Sequence, residues 1–262
     1  MAEIVVAGLG HDYAILLNAS AGTVFEPATP GPLDGMHPNV GPEERNLSRP
    51  LIAPHTSITN AYNKETFVFT DPVERADLAR FDVILAEGGT GGGNAVPHIH
   101  PNADETFFVH SGRVKVVING TEHFGAAGET LVVPRGQPHF FANAHAGETR
   151  LTVSFSPGQK HLRFFLNLAA MTAVSPRCFS PQGDARLLPM ALALHAYAGH
   201  LYLADRPVPV QRALFAVLAP IARLLGHRML VPPEGEVRIS PEAIGHSPVL
   251  GHEPAQPAWA SS

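Results

Sequence analysis

The sequence predicts a mainly β protein: a barrel of short antiparallel strands, preceded by an extended arm and followed by α-helices. Three observations carry that expectation. Between residues 65 and 157, short runs of alternating apolar residues recur and each is closed by a turn signal, as in Phe81-Asp-Val-Ile-Leu-Ala-Glu87 and Arg150-Leu-Thr-Val-Ser-Phe155. One pair of runs, Arg113–Ile118 and Thr121–Phe124, is joined by Asn119-Gly120, the strongest two-residue hairpin signal. After Ser156-Pro-Gly158 the period lengthens to that of a helix, with Leu162, Phe165, Leu166 and Ala169 on one side.

The elements follow in order. Residues 1–64 read as an extended arm, because Glu26-Pro-Ala-Thr-Pro-Gly-Pro32 and Ala53-Pro-His55 deny it regular pairing. Near its start Gly8 and Gly10 supply G-x-G, but Tyr13 stands where a third glycine belongs and no βαβ unit follows, so a dinucleotide site is excluded. Residues 65–158 form the barrel. Its first strand, Glu65-Thr-Phe-Val-Phe-Thr70, alternates Phe67 and Phe69 with polar neighbours. Gly88-Gly-Thr-Gly-Gly-Gly93 is a flexible loop and not a phosphate loop, since no Lys-Ser/Thr follows it. Residues 159–230 are helical: one helix over 160–172, one from Pro189 to about Ala204, and one from Val210 to Leu225 that stops at Gly226. Pro220 is expected to kink the last of these or shift its start. The tail, 231–262, reads as irregular.

Composition narrows the partners. A chain of 262 residues holds one core domain with appendages, or two small domains. Its net charge of −5, with 18 scattered Lys and Arg, argues against nucleic acid. Cys178 is the single cysteine, so no intrachain disulfide is expected and a cytoplasmic setting is natural. Met1-Ala-Glu-Ile-Val-Val lacks a basic segment, and no secretory signal is expected. Between Arg186 and Asp205 there is no formal charge, which reaches the lower limit for a membrane span. Pro189, His195, Gly199 and His200 interrupt it, so these helices are better read as a hydrophobic pair at the interface of a homodimer.

The chemistry lies between Gly92 and Asn143. His98 and His100 are two residues apart, so on a strand both imidazoles point to one face. Glu105 follows the Pro101-Asn-Ala-Asp104 turn on the next strand, and His139 opens another. Three imidazoles and one carboxylate converging inside a small barrel make a divalent-metal site. With a single Cys in the chain, this is no closed thiolate-rich zinc site. It suits one divalent metal per chain, Fe(II) first, with Mn(II), Ni(II), Cu(II) and Zn(II) as alternatives. Glu105 is also the candidate acid or base, because His ligands whose lone pairs are committed to a metal cannot act as bases, whereas Glu105 can if it leaves the metal. By strand parity with the ligands, Phe107, Val109, Phe141 and Asn143, together with Val96, are the expected pocket lining. Asn143 serves equally well as a structural tie at its strand end. His195 and His200, five apart, lie about 140° apart on a helix and do not form a second site.

The same residues carry a family resemblance. Gly92, His98, His100, Glu105 and Gly112 fit G-x5-H-x-H-x4-E-x6-G, and Gly128, Pro134, Gly136, His139 and Asn143 fit G-x5-P-x-G-x2-H-x3-N. These are the two cupin motifs, with every defining position filled, and the resemblance covers roughly residues 65 to 157. It implies a jelly-roll β-barrel with a metal near its centre, and no single reaction. The His98-Ile-His100 pair with Asp104-Glu105 and Phe107-Phe108 is most similar to bacterial monocupins often called quercetin-dioxygenase-like. That implies a metal-dependent dioxygenase acting, with dioxygen, on a small enol-containing or aromatic molecule. A metal-assisted isomerase or cyclase, and a non-catalytic ligand-binding cupin, are the alternatives.

Overall fold

In the computed structural model, residues 50–91 and 95–239 are described, so the Gly8-x-Gly10 segment, most of the arm, Gly92 and residues 240–262 lie outside the described part. Among the described residues, eleven strands form two antiparallel sheets. The first takes the order β1-β2-β3-β10-β5-β8, from Thr56–Asn60, Glu65–Phe69, Ala79–Leu85, Thr149–Ser156, Asp104–Ser111 and Thr130–Val133. The second is β11-β4-β9-β6-β7, from Tyr202–Leu203, His98–Ile99, His139–Asn143, Arg113–Ile118 and Thr121–Ala126. The mainly β, jelly-roll-like expectation holds.

Alternation decides which face is inward. In β3 Phe81, Val83 and Leu85 are buried, and in β10 Leu151, Val153 and Phe155 are, while their neighbours are less so. The β6–β7 hairpin turns at Asn119 and Gly120, both with positive φ (49° and 82°), the geometry that a two-residue hairpin needs. Gly112 sits at φ 79°, where an added Cβ would lie 2.4 Å from the Thr149 hydroxyl, so the tight step from β5 to β6 admits only glycine.

Strand β1 was not expected. It falls within the segment read as an extended arm, yet Thr56–Asn60 pairs residue for residue with β2 and forms the edge of the larger sheet. Prolines are dense before residue 55 and absent from 56–60, which is why pairing begins there.

Among the described residues three α-helices follow the barrel: α1 (His161–Val174), α2 (Leu187–Ala196) and α3 (Val208–Leu224). Helix α1 packs on the larger sheet, with the Phe165 ring against Phe67, Phe81 and Phe155 at centroid separations of 5.0–6.4 Å. The expected second helix is shorter than the sequence suggests. It ends at Ala196, Gly199 turns the chain at φ 89°, and Tyr202–Leu203 return as β11 beside β4. The side chain of Gln211 holds that return, accepting from the Leu203 N–H and donating to the Leu203 and Arg206 carbonyls. Helix α3 begins ahead of Pro209 and runs through Pro220, which lies on its exposed side; Leu192 of α2 packs on its Ala219 and Ala222. Among the described residues, no helix is long and apolar enough to cross a membrane.

Candidate metal centre

Strands β4, β5 and β9 bring the four expected ligands together. His98 faces His139 across the β4–β9 pair. Glu105, at the start of β5, lies between Phe155 of β10 and Val133 of β8. One donor atom from each of His98, His100, Glu105 and His139 lies within 4.8 Å of the others, and all four residues are buried. Glu105 Oε2 is 2.5 Å from His139 Nε2 and 3.5 Å from His100 Nε2.

The outer nitrogens fix which atoms face the centre. His98 Nδ1 bonds the Val96 carbonyl at 3.0 Å, His139 Nδ1 the Gln137 carbonyl at 2.9 Å, and His100 Nδ1 the His200 carbonyl at 2.6 Å. A carbonyl only accepts, so each Nδ1 carries the proton and each neutral ring turns an Nε2 lone pair inward. His100 Nε2 is buried without a hydrogen-bond partner, the costly arrangement that a metal bond relieves.

Electrostatics agree with ligand chemistry. Burial, with His139 beside it, pushes His98 down to about 3. Burial and the neighbouring His98, His139 and His161 hold His100 well below its ordinary value. Both rings are therefore neutral at pH 7, as ligation requires. For His139, burial works downward, but the charge and hydrogen bond of Glu105 outweigh it and the ring is raised. Three imidazoles, two of them held neutral and the third paired with Glu105, and one carboxylate fit a single divalent ion, and no further group of three His, Cys, Asp or Glu does so among the described residues.

The turn that carries these ligands is locked. The Arg135 guanidinium donates to both carboxylate oxygens of Asp104 at 3.0 Å, and the Arg135 and Gly136 N–H groups donate to Asp104 and to the His100 carbonyl at 2.8 Å. Behind His100 lie the rings of Phe155 and His161, the latter stacked on Phe155 at 4.5 Å.

The expected pocket residues have different placements. Val96 lines a cavity of about 240 Å³ between the barrel and the helices. Phe141 borders a small void beside the ligands, packs on Phe107 at 4.8 Å and covers Gly91, where a Cβ would collide with its ring. Phe107 and Val109 are fully buried in the core. Asn143 is a tie: its amide donates to the Leu85, Ala86 and Gly147 carbonyls, and its oxygen accepts from the His145 N–H and the Thr149 hydroxyl.

Most of the larger cavity comes from residues that the sequence reading passed over. Phe164, Phe165, Leu168 and Ala169 of α1, Met190 and Leu194 of α2, and Leu201 and Leu203 give it apolar walls, while Asn60, Glu65, His98, Thr172 and Asp184 are its polar lining. Glu65 is 2% exposed and borders the small void as well. Burial pushes its carboxyl up to about 8, with the Asn63 amide working against the shift and the Glu105 charge adding to it. A signal for Glu65 was present, since it shares strand parity with the inward Phe67 and Phe69.

Residues 81–155 match the family model described as Cupin domain. Over 73 residues the chain is 41% identical to Putative germin-like protein 3-4 of Oryza sativa subsp. japonica, covering 25% of this chain and 32% of that protein. Oxalate oxidase 1 of Hordeum vulgare is also 41% identical over 73 residues, 25% of this chain and 36% of its own length. The chain thus spans about a third of the length of these curated relatives. Solved structures that resemble it include a sugar phosphate isomerase of the cupin superfamily from Silicibacter pomeroyi, with 21% identity, 37% of this chain and 61% of that one covered, and a TM-score of 0.33. Another is KdgF from Halomonas sp., with 19% identity, 42% and 93% covered, and a TM-score of 0.34.

Proposed function

We propose that this chain, which carries a cupin domain over residues 81–155, is a metal-dependent dioxygenase of a small enol-containing or aromatic molecule. One observation carries the reading: a cluster of four buried donors adjoins a largely apolar cavity of about 240 Å³, and one of the four, His98, lines it. That volume is just below the range for drug-sized ligands, about 300–1,000 Å³, which suits a small substrate.

The cavity also bears on charge. Its described lining includes the carboxyl groups of Glu65 and Asp184 and no Lys or Arg. A free dicarboxylate, the substrate class in the name of the oxalate oxidases, would find no Lys or Arg in that lining to pair with a carboxylate held away from the metal. An uncharged molecule with an apolar body is the better match.

A divalent ion held by His98, His100, Glu105 and His139 would supply Lewis acidity and open positions for substrate and dioxygen. The chain contributes the rest. The three His rings hold their Nδ1 protons outward on backbone carbonyls and direct Nε2 toward the centre. Glu105 is the candidate acid or base, with Oε2 as the atom that takes up or releases the proton. The walls from α1 and α2 give the adjoining cavity its apolar character. We also propose a homodimer in the cytoplasm as the working form.

The test is oxygen uptake by Fe(II)-loaded protein offered a panel of enols and phenols. Metal-dependent uptake with product formation supports a dioxygenase. Turnover without oxygen uptake assigns an isomerase or cyclase, and binding without turnover assigns a ligand-binding cupin.

A further inference from the structure

We propose that Glu65 grips the oxygen-bearing end of the substrate, so that the cavity selects an apolar molecule with a carbonyl or enol oxygen at its inner end. This rests on the reading that the cavity between barrel and helices is the substrate site. The argument starts from position. The small void beside the ligands and the larger cavity share Glu65, Phe67, His98 and Phe165. Two of the four are aromatic walls and one is a metal ligand. Glu65 is the remaining polar group at this junction, and it stands outside the set of four metal donors.

Its surroundings then say how it acts. Glu65 is buried, and among the described residues no Lys, Arg or His lies within ion-pair distance of it. Burial favours the neutral acid, with its titration pushed up to about 8. In either protonation state the carboxyl engages an oxygen at the inner end of the substrate, donating its O–H to a carbonyl when neutral and accepting from an enol O–H when ionised. Core packing alone gives no reason for a carboxyl here: its neighbours on the same strand face, Phe67 and Phe69, are apolar, and an apolar residue would avoid the desolvation cost. A carboxyl buried between a metal site and a cavity is instead what ligand recognition requires. The same O–H offers nothing to a hydrocarbon end, which sets the orientation in which a substrate binds.

The experiment uses the full chain loaded with Co(II), whose visible absorption changes when a ligand oxygen reaches it. Tropolone is the probe, an apolar ring with adjacent carbonyl and enol oxygens. Glu65→Met keeps the bulk and removes both oxygens, and the Kd for tropolone should rise about tenfold, the scale of one lost hydrogen bond in an apolar site, with cobalt content unchanged. Glu65→Gln retains an N–H donor and should stay within about threefold of wild type. Should Glu65→Met fail to fold, Glu65→Ala removes the carboxyl without new bulk and reads the same loss. An unchanged Kd in the variant that lacks the oxygens would overturn the assignment of Glu65 and leave the substrate-site reading standing. Loss of cobalt from that variant would also overturn it, because Glu65 would then serve metal retention. Failure of the wild-type cobalt protein to bind tropolone would remove the substrate-site reading itself, and the role of Glu65 with it.

Discussion

Replacing Glu65 with Gln should make the metal-free protein less sensitive to rising pH. In the folded chain the carboxyl is raised from 4.5 to about 8, with burial as the main cause. Below pH 4.5 both the folded and unfolded states hold its proton. Between 4.5 and about 8 the unfolded chain has lost a proton that the folded chain keeps, so each rise in pH favours unfolding. At about 1.4 kcal/mol for each pH unit, the span amounts to at most about 5 kcal/mol, a large share of the 5–15 kcal/mol that stabilises a typical domain. Gln has the same shape and no proton to lose. Urea unfolding followed by circular dichroism in EDTA, at pH 5 and at pH 8.5, reads the effect. The stability of Glu65→Gln relative to wild type should increase by about 2–5 kcal/mol between the two pH values. His98, His100 and His139 titrate in both proteins and cancel in the difference. Curves that stay parallel within about 1 kcal/mol would refute a buried neutral carboxyl at this position.

Three further outcomes are expected. Elemental analysis should find one divalent ion per chain, and His98→Ala or His139→Ala should empty the site; full occupancy in both variants would exclude this ligand set. Glu105→Gln keeps one oxygen donor, so metal should persist in part while the chemical step slows by about 10²- to 10⁴-fold; equal rates at matched metal content would remove Glu105 from the chemistry. On α3, Val210, Leu214, Val217, Ile221 and Leu224 are all exposed, and their alternating spacing of four and three is that of a helix–helix seam. Light scattering should therefore give about twice the chain mass of 27.9 kDa, and Leu214→Glu with Ile221→Glu should halve it; a wild-type monomer would refute the seam.

The four candidate ligands were legible in the sequence because strand geometry is local. A period of two puts His98 and His100 on one face without knowledge of anything distant, and the turn residues between Pro101 and Asp104 place Glu105 on the next strand in the chain. The Asn119-Gly120 hairpin and the change of period after Gly158 were legible for the same reason. Elements whose form depends on distant partners were not. Nothing local marks Thr56–Asn60 as a strand until β2 lies beside it, and the apolar run after Pro189 cannot show that Tyr202–Leu203 will pair with β4.

The metal site divides along the same line. By itself the sequence determined the candidate ligand types and their period-two placement, because these follow from residue identity and backbone repeat. Only the tertiary structure decided that the His200 carbonyl, one hundred residues away, holds the proton of His100 outward. It also decided that the helices, and not the expected Val109 and Asn143, wall the larger cavity, and that Glu65 is buried enough to hold its proton. Those features arise from desolvation and from contacts between segments far apart in the chain, and both exist only once the helices are packed against the barrel.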